Sequence, residues 1–441
     1  MTRESKTKTK TNTLLIGAGG REHALAWKLR QSPMLGQLWV SNSANAALRH
    51  LGRPVEAPIE ASNPFQIQQL CKKQDIGLVV IGPEAPLAAG IADVLRSDQC
   101  AVFGPDAAGA KLEADKAWAK QLLRAASVPI AQGHTFTDFH DAIAYLESRE
   151  EPPVIKASGL AGGKGVILPD TIEDAQAAIH KIMVERHFGD AGDTVIIEER
   201  LTGPEVSILA LVDGRTIYIL DPCQDHKRLL DGGVGPNTGG MGALCPTNIV
   251  DDALMTRIQR EILVPTVDAL RREGIDYRGV LYAGLMLTHA GPKVLEYNVR
   301  FGDPECQPLM KRFKGDLLDT LYRTATGTLA EARFDWDKRT ACCVVMASRG
   351  YPAKPEVGFP ITGIDQAEAL GDVTVFHAGT KRTSDGALVT NGGRVLGVTA
   401  LGDTLADARA LANQACELIQ FEGKHYRRDI GAETGASANL A

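Results

Sequence analysis

Glu296, Asn298 and Arg300 alternate with Leu295, Tyr297 and Val299 in a run that reads as a β-strand. Period two puts a carboxylate, an amide oxygen and a guanidinium on one face, and turns the other three side chains to a core. The two oxygen donors suit a hard cation such as Mg²⁺, which keeps waters and shares its shell with nucleotide phosphates. The guanidinium suits an anion that gains charge during a reaction. A solvated face with an incidental ion pair is the plainer reading of such a strand. Gly302-Asp303-Pro304-Glu305, directly after it, argues for chemistry instead.

Four stretches, three of them glycine-rich, could work beside that strand. Gly17-Ala18-Gly19-Gly20-Arg21-Glu22 lies between an apolar run at 13–16 and a helical pattern reaching about Arg30, and could offer backbone N–H groups to a phosphate. It is not a dinucleotide fingerprint, because Glu22 replaces the third glycine and residues 38–42 offer no acid for a ribose. A tight turn without a ligand stays open. Gly82-Pro83-Glu84-Ala85-Pro86 ends a neighbouring strand, where ligands of open α/β sheets sit. The loop Ser158-Gly159-Leu160-Ala161-Gly162-Gly163-Lys164-Gly165 lacks the Ser/Thr of a P-loop, and a strand follows it. It reads as a hairpin tip, either a solvated turn or a flap over phosphates, with Lys156 reaching an inner phosphate and Lys164 the outer ones. Residues 235–242 read as a loop that closes over a small substrate, and His226 nearby as a structural histidine.

These groups need elements to hold them. Strands at 13–16, 38–40, 78–81 and 101–103, with helices at 64–73 and 87–97, predict a doubly wound parallel sheet. A helix over 111–126 follows, then a strand-rich α+β region with strands at 154–157, 166–168, 195–199, 206–212, 216–220, 280–287 and 293–299. A last β-rich unit carries strands at 341–347, 373–378 and 394–400. The expected division is a disordered leader at 1–11, an α/β domain at 12–112, a second domain at 113–335 with a lid at about 136–200, a C-terminal domain at 336–431 and a tail at 432–441. With 441 residues, 44% hydrophobic and 23% charged, the composition is that of a soluble globular protein. A net charge of −6 without a basic stripe argues against nucleic-acid binding. No apolar run of membrane-spanning length occurs, and the leader has no apolar segment of a secretory signal. Eight cysteines without a CxxC pair read as reduced thiols, which predicts a cytoplasmic protein.

Taken in order, the stretches at 17–24, 82–87, 158–165, 224–228, 235–242 and 300–305 resemble those of the glycinamide ribonucleotide synthetase family, whose members are ATP-grasp enzymes. The segments 375–380 and 392–396 match as well, so the resemblance spans about residues 12 to 431. It implies an α/β and α+β multidomain fold: a pre-ATP-grasp parallel sheet, an ATP-grasp domain with a hairpin lid, and a small C-terminal β-rich domain. The implied reaction is the ATP-dependent ligation of glycine to 5-phosphoribosylamine through glycyl phosphate, in purine biosynthesis. It implies Mg²⁺ or Mn²⁺ on Glu296 and Asn298, and ATP on Lys116, Lys156, Lys164, Glu198, Glu199, Leu201 and Glu205. Arg300, Lys164 and Asp225 are the implied catalytic groups. The substrates would lie against Gly17, Gly19, Gly20, Arg21 and Glu84 on the ribosylamine side. Asp225, Lys227, Asn237, Thr238, Gly239, Gly240, Asp303 and Pro304 would complete the substrate site. Partners would be small molecules only, with no nucleic acid or membrane, on a monomer. Two departures stand out: Ser158 where the family has Asp, and Ser43-Ala44-Asn45-Ala46-Ala47 for its Pro-Gly-Asn-Ala-Gly loop.

Overall fold

The apolar runs β1 (Thr11–Ile16) and β4 (Ile76–Ile81) lie side by side at the centre of a parallel sheet, covered on both faces. Such strands cannot alternate polar and apolar, because neither face meets water. β2 (Leu35–Val40), β3 (Arg53–Pro54) and β5 (Ala101–Phe103) complete the order β3-β2-β1-β4-β5. The computed structural model describes residues 10–432 except 42, 44, 57 and 60–62. Residues 1–9 of the expected leader and 433–441 of the tail lie outside the described residues; Thr11, expected in the leader, opens β1.

Helix α1 (Gly20–Leu29) starts where the sequence turns from β1 into glycines. Gly19 caps it in an extended conformation, and the Glu22 carboxylate reaches back to accept the Gly19 N–H at 2.7 Å. Two expected helices are each divided in two. The one at 87–97 consists of Glu84–Ala88 and Ile91–Leu95, split where Gly90 turns left-handed at φ +77°. The one at 111–126 consists of Ala107–Ala114 and Lys116–Ala125. Asp115 leaves helical geometry between them and accepts the Trp118 N–H, so it caps the second piece.

The middle of the chain builds two antiparallel sheets. β6 (Gly133–Phe136), β7 (Val154–Ala157), β8 (Val166–Ile167) and β9 (Val195–Glu198) order as β6-β9-β7-β8. Their apolar face packs on the helices Phe139–Glu147 and Ile172–Met183 around Leu146, Ile155, Ile179 and Ile197. β10 (Glu205–Asp213) and β11 (Ile217–Ile219) join β16 (Arg278–Thr288) and β17 (Gly291–Asn298) in the order β11-β10-β16-β17. The expected alternation in β17 slips. Register jumps from Gly284↔Glu296 to Leu285↔Val294, so Leu295 is an extra, bulged residue. Val294, Tyr297 and Val299 therefore enter the core, while Leu295 turns to the cavity.

Between β11 and β16 in the chain come β12 (Gln224–Asp225), β13 (Arg228–Leu230), β14 (Val234–Asn237) and β15 (Gly242–Cys245). The C-terminal strands are β18 (Thr340–Ala347), β19 (Val373–His377), β20 (Thr380–Arg382), β21 (Leu388–Thr390) and β22 (Arg394–Gly402). β20 pairs with β21 alone, and the other three join the sheet β12-β15-β18-β22-β19, which takes two strands from the middle of the chain. The helix Leu405–Leu418 packs on it. All eight cysteines are buried and unpaired. Among the described residues no helix is long and apolar enough to cross a membrane.

Candidate functional site

One cavity of about 310 Å³ opens between the β6-β9-β7-β8 sheet, the end of β17 and the 235–242 loop. β17 delivers Glu296 and Asn298 to it, and Arg300 follows from the bend after the strand. Arg300 Nη2 donates to Asn298 Oδ1 at 2.9 Å and to Glu113 Oε1 at 2.8 Å; Glu84 Oε2 lies 3.4 Å from its Nε. Burial works against ionised Glu84, yet Arg300, a backbone N–H and Arg21 together outweigh it and hold the carboxyl below its ordinary range. Glu113 goes the other way: burial pushes it up despite Arg300 and the Val299 N–H. The helix Ala107–Ala114 thus supplies a group that the motif reading missed, with one carboxylate on both Arg300 and the backbone of Val299.

Four of the six nucleotide residues other than Lys164 come from the β6-β9-β7-β8 sheet and the connection after β9, while Lys116 comes from a helix and Glu205 from the start of β10. All six line the cavity: Lys116, Lys156, Glu198, Glu199, Leu201 and Glu205. Lys156, buried on β7, ion-pairs with Glu198 and donates to the Leu295 carbonyl at 3.1 Å. That carbonyl belongs to the bulged residue of β17, so the bulge and the lysine are fitted to each other. Lys120 ion-pairs with the second oxygen of Glu198. Burial would raise Glu198, but Lys156 and Lys120 hold it below its ordinary range. Lys116 and Lys120 stand four apart on one helix and share a face, a signal the sequence carried. Lys116 donates to the Gly159 carbonyl at 3.2 Å; burial lowers its pKa, against the pull of Glu296.

Lys164 is placed differently from expectation. It is exposed at the tip of the β7–β8 hairpin and does not line the cavity, which the hairpin meets through residues 160–163 and Gly165. Gly162 and Gly163 turn the tip with φ +56° and +75°, and a Cβ on either would meet nothing within 4 Å. At the hairpin base Ser158 is buried, donates to Asp115 Oδ1 at 3.0 Å and accepts the Ala117 N–H. Ser158 thereby ties the hairpin to the helix that carries Lys116.

Of the substrate residues, Glu84, Asp225, Lys227, Asn237, Thr238, Gly239 and Asp303 line the cavity. Asp225 Oδ2 pairs with Lys227 Nζ at 3.1 Å, while its buried Oδ1 has no hydrogen-bond partner among the described residues. Burial pushes this carboxyl up to about 7, opposed by Lys227 and assisted by Glu305. Gly240 and Pro304 form the wall behind it. A Cβ on Gly240, where φ is +113°, would stand 2.5 Å from Pro304 Cδ and 2.6 Å from Asp225 Oδ1. His226 accepts the Gly431 N–H at 3.0 Å, and burial lowers it to about 4, as fits a structural histidine.

Gly17, Gly19, Gly20 and Arg21 do not line this cavity, and their backbone is not the free cradle the sequence suggested. Gly17 N–H donates to Ser41 Oγ at 3.0 Å and Gly19 N–H to Glu22. The Arg21 N–H faces the Asp303 carboxylate. Two carboxylates, Glu22 and Asp303, thus occupy the positive end of α1, so this turn offers acceptors for amine or hydroxyl hydrogens. The Arg21 side chain holds Glu22 and the Phe301 carbonyl. Asn45, in the altered loop, donates to the carbonyls of Ala18, Gly19 and His377 at 3.1, 3.3 and 2.7 Å.

A divalent cation fits what is present. Glu296 is half-buried, faces the cavity and has no side-chain hydrogen bond or ion pair among the described residues. Asn298 Oδ1 beside it is an oxygen donor now shared with Arg300. No group of three or more His, Cys, Asp or Glu side chains is arranged for a metal among the described residues. The donor set therefore suits an ion completed by phosphates and water, and not a closed protein cage.

Comparison with known proteins places these observations. Models of phosphoribosylglycinamide synthetase match in three consecutive pieces: the N domain over residues 11–113, the ATP-grasp (A) domain over 114–306 and the C domain over 341–433. The phosphoribosylamine–glycine ligase of Rhodopirellula baltica is 48% identical over 440 residues, covering 98% of this chain and 100% of the relative. The trifunctional purine biosynthetic protein adenosine-3 of Homo sapiens is 47% identical over 95% of this chain, which corresponds to 41% of that longer protein. The crystal structure of phosphoribosylamine–glycine ligase from Thermotoga maritima superposes with a TM-score of 0.82 at 32% identity, covering 96% of this chain and 100% of that one. A biotin carboxylase from Campylobacter jejuni, at TM-score 0.70 and 13% identity, shares the fold alone. The chain belongs to the phosphoribosylglycinamide synthetase family.

Proposed function

We propose that this chain joins glycine to 5-phospho-D-ribosylamine at the expense of ATP, giving glycinamide ribonucleotide, ADP and phosphate in purine biosynthesis. The observation that carries the reading is the convergence of Glu296, Asn298, Arg300, Lys116 and Lys156 in one cavity. The same cavity is lined by Asp225 and Asp303.

In the first step a glycine carboxylate oxygen attacks the γ-phosphorus of ATP. A P–O bond forms, the bond to ADP breaks, and glycyl phosphate results. Oxide is a poor leaving group and phosphate a good one, so the step activates the carbonyl. Lys116 and Lys156 neutralise nucleotide phosphates, and Arg300 meets the charge on the transferring phosphoryl group. Glu198 to Leu201 would meet the adenine, and Glu205 the ribose hydroxyls. Glu296 and Asn298 would hold Mg²⁺ or Mn²⁺, which when bound offsets phosphate charge. The 159–165 hairpin, with Lys164, would close over the phosphates. Asp225 Oδ1, buried without a partner, suits the ammonium of glycine under the 235–242 loop.

In the second step the amine nitrogen of phosphoribosylamine attacks the carbonyl carbon. The C–N bond forms, the C–O bond breaks, phosphate leaves with the electron pair, and the nitrogen loses a proton. The carboxylates at the N-terminus of α1, with Glu84, suit the amine and hydroxyl hydrogens of this substrate. Residues 12–112 would bear the amine substrate, 113–335 the nucleotide and 336–431 the closing wall, in a cytoplasmic monomer. Turnover with ATP, Mg²⁺, glycine and phosphoribosylamine tests the reading: ADP and glycinamide ribonucleotide should appear together. ADP release that ignores glycine, or ligation only with a different acid or amine, overturns it.

A further inference from the structure

Arg394 opens β22 and reaches away from its own sheet. Its Nη1 donates to the carbonyls of Gly239 and Asp303, each at 2.6 Å, and Nη2 lies 3.5 Å from Asp303 Oδ2. The N–H of Gly239 donates to the Tyr351 hydroxyl at 2.9 Å. Both backbone groups of Gly239, in the loop over the cavity, are therefore held by C-terminal residues.

Asp303 is the more telling contact. Its carboxylate lines the cavity and also faces the turn before α1. A Cβ at Gly19 would stand 3.7 Å from its Oδ2, and one at Gly20 3.8 Å from its Oδ1. Gln307 Nε2 donates to Oδ1 at 2.8 Å, the Arg21 N–H faces the same carboxylate, and Arg394 lies against Oδ2. Burial opposes charge on Asp303, yet Arg394 and Arg21 hold its carboxyl below the ordinary range. A lysine would offer one point charge here; the planar guanidinium spans two carbonyls and a carboxylate at once.

We propose that Arg394 is a positioning residue for the amine half of the reaction, fixing Asp303 at the junction of the nucleotide cavity and the Gly19-Gly20 turn, where that carboxylate receives the amine of phosphoribosylamine. The inference rests on the function proposed above. Arg394 touches neither nucleotide residue nor metal donor, and its hold on Gly239 bears on glycine alone, so at saturating glycine its loss spares the first step and acts on the second. Glycyl phosphate then forms without a well-placed amine and is lost to water.

Full-length Arg394→Met and Arg394→Lys test this, with ADP and glycinamide ribonucleotide measured together as phosphoribosylamine is varied at saturating ATP and glycine. In Arg394→Met the KM for phosphoribosylamine should rise about tenfold or more. ADP release should outrun product while the KM for ATP stays unchanged, and Arg394→Lys should restore part of the coupling. One ADP per product with unchanged amine KM overturns the proposal, as does an equal loss of affinity for ATP, the mark of a merely structural brace. Should Arg394→Met not fold, Asp303→Asn decides: coupled turnover at unchanged amine KM again overturns it. Wild-type enzyme that forms no glycinamide ribonucleotide at all overturns the proposed function instead.

Discussion

Glu296 faces the cavity without a hydrogen-bond or ion-pair partner among the described residues, whereas the Asn298 oxygen is shared with Arg300. Removing the first takes a ligand and a neutralising charge from the nucleotide's cation; removing the second takes a neutral donor that water can replace. Glu296→Ala should therefore lose most of its turnover and Asn298→Ala less, measured as ADP release across a Mg²⁺ titration. Full activity of Glu296→Ala at ordinary Mg²⁺ would remove the metal assignment. Arg300→Ala should cost about 10²-fold or more in glycine phosphorylation, the range seen when one group stabilising transition-state charge is deleted. The readout is glycine-dependent exchange between ATP and ADP; exchange at the wild-type rate would refute its role. This site was legible where type and spacing act locally, as with Glu296, Asn298 and Arg300. Glu113 was not, because its meaning comes from two contacts made about 190 positions away in the chain, with Val299 and Arg300. Nor was the outward direction of Lys164, since a glycine tip leaves side-chain direction unspecified.

The β7–β8 hairpin is an element whose two ends differ. Its base is fixed by Ser158 on Asp115, and its tip carries two left-handed glycines with empty space around them. Such a tip opens locally at low cost until a ligand gives it contacts. ATP with Mg²⁺ should slow hydrogen exchange and proteolysis at 159–165, with less change at 17–22. Protection confined to 17–22 would put the nucleotide on the parallel sheet and reverse the roles of the two regions. At this scale the sequence carried the places of the long strands and the parallel type of the first sheet, because fully buried parallel strands and hairpin strands have distinct apolar patterns. It missed the division of 111–126 at Asp115 and the bulge at Leu295. Both interrupt a periodicity by a single residue, and neither changes the apolar content that marks the element.

At the scale of the molecule, the segments far apart in sequence meet at α1. His23, on α1, accepts the N–H of His377 at the end of β19 through Nδ1 at 2.7 Å, and the two rings pack edge to face. Asn45 bonds the same residue's carbonyl, so the 43–47 loop, the turn and the C-terminal sheet share one seam. Both histidines are buried. Burial lowers His23 to about 3, with His377 adding repulsion, and lowers His377 to about 4, with Arg382 and His50 adding theirs. A depressed histidine stays neutral in the fold while the unfolded chain takes up its proton near pH 6.5. The folded state therefore loses relative stability as pH falls below about 6.5, and the loss levels off only near pH 3 to 4. Between pH 6.5 and 5 each such histidine costs about 2 kcal/mol, since one unit of difference is ~1.36 kcal/mol. His23→Asn offers an acceptor near the position of Nδ1 and cannot be protonated in this range. Its Tm should lie below that of the wild type at neutral pH, yet fall less between pH 7 and 5. Parallel curves for the two proteins would show that the seam between α1 and β19 does not set the acid limit of this fold.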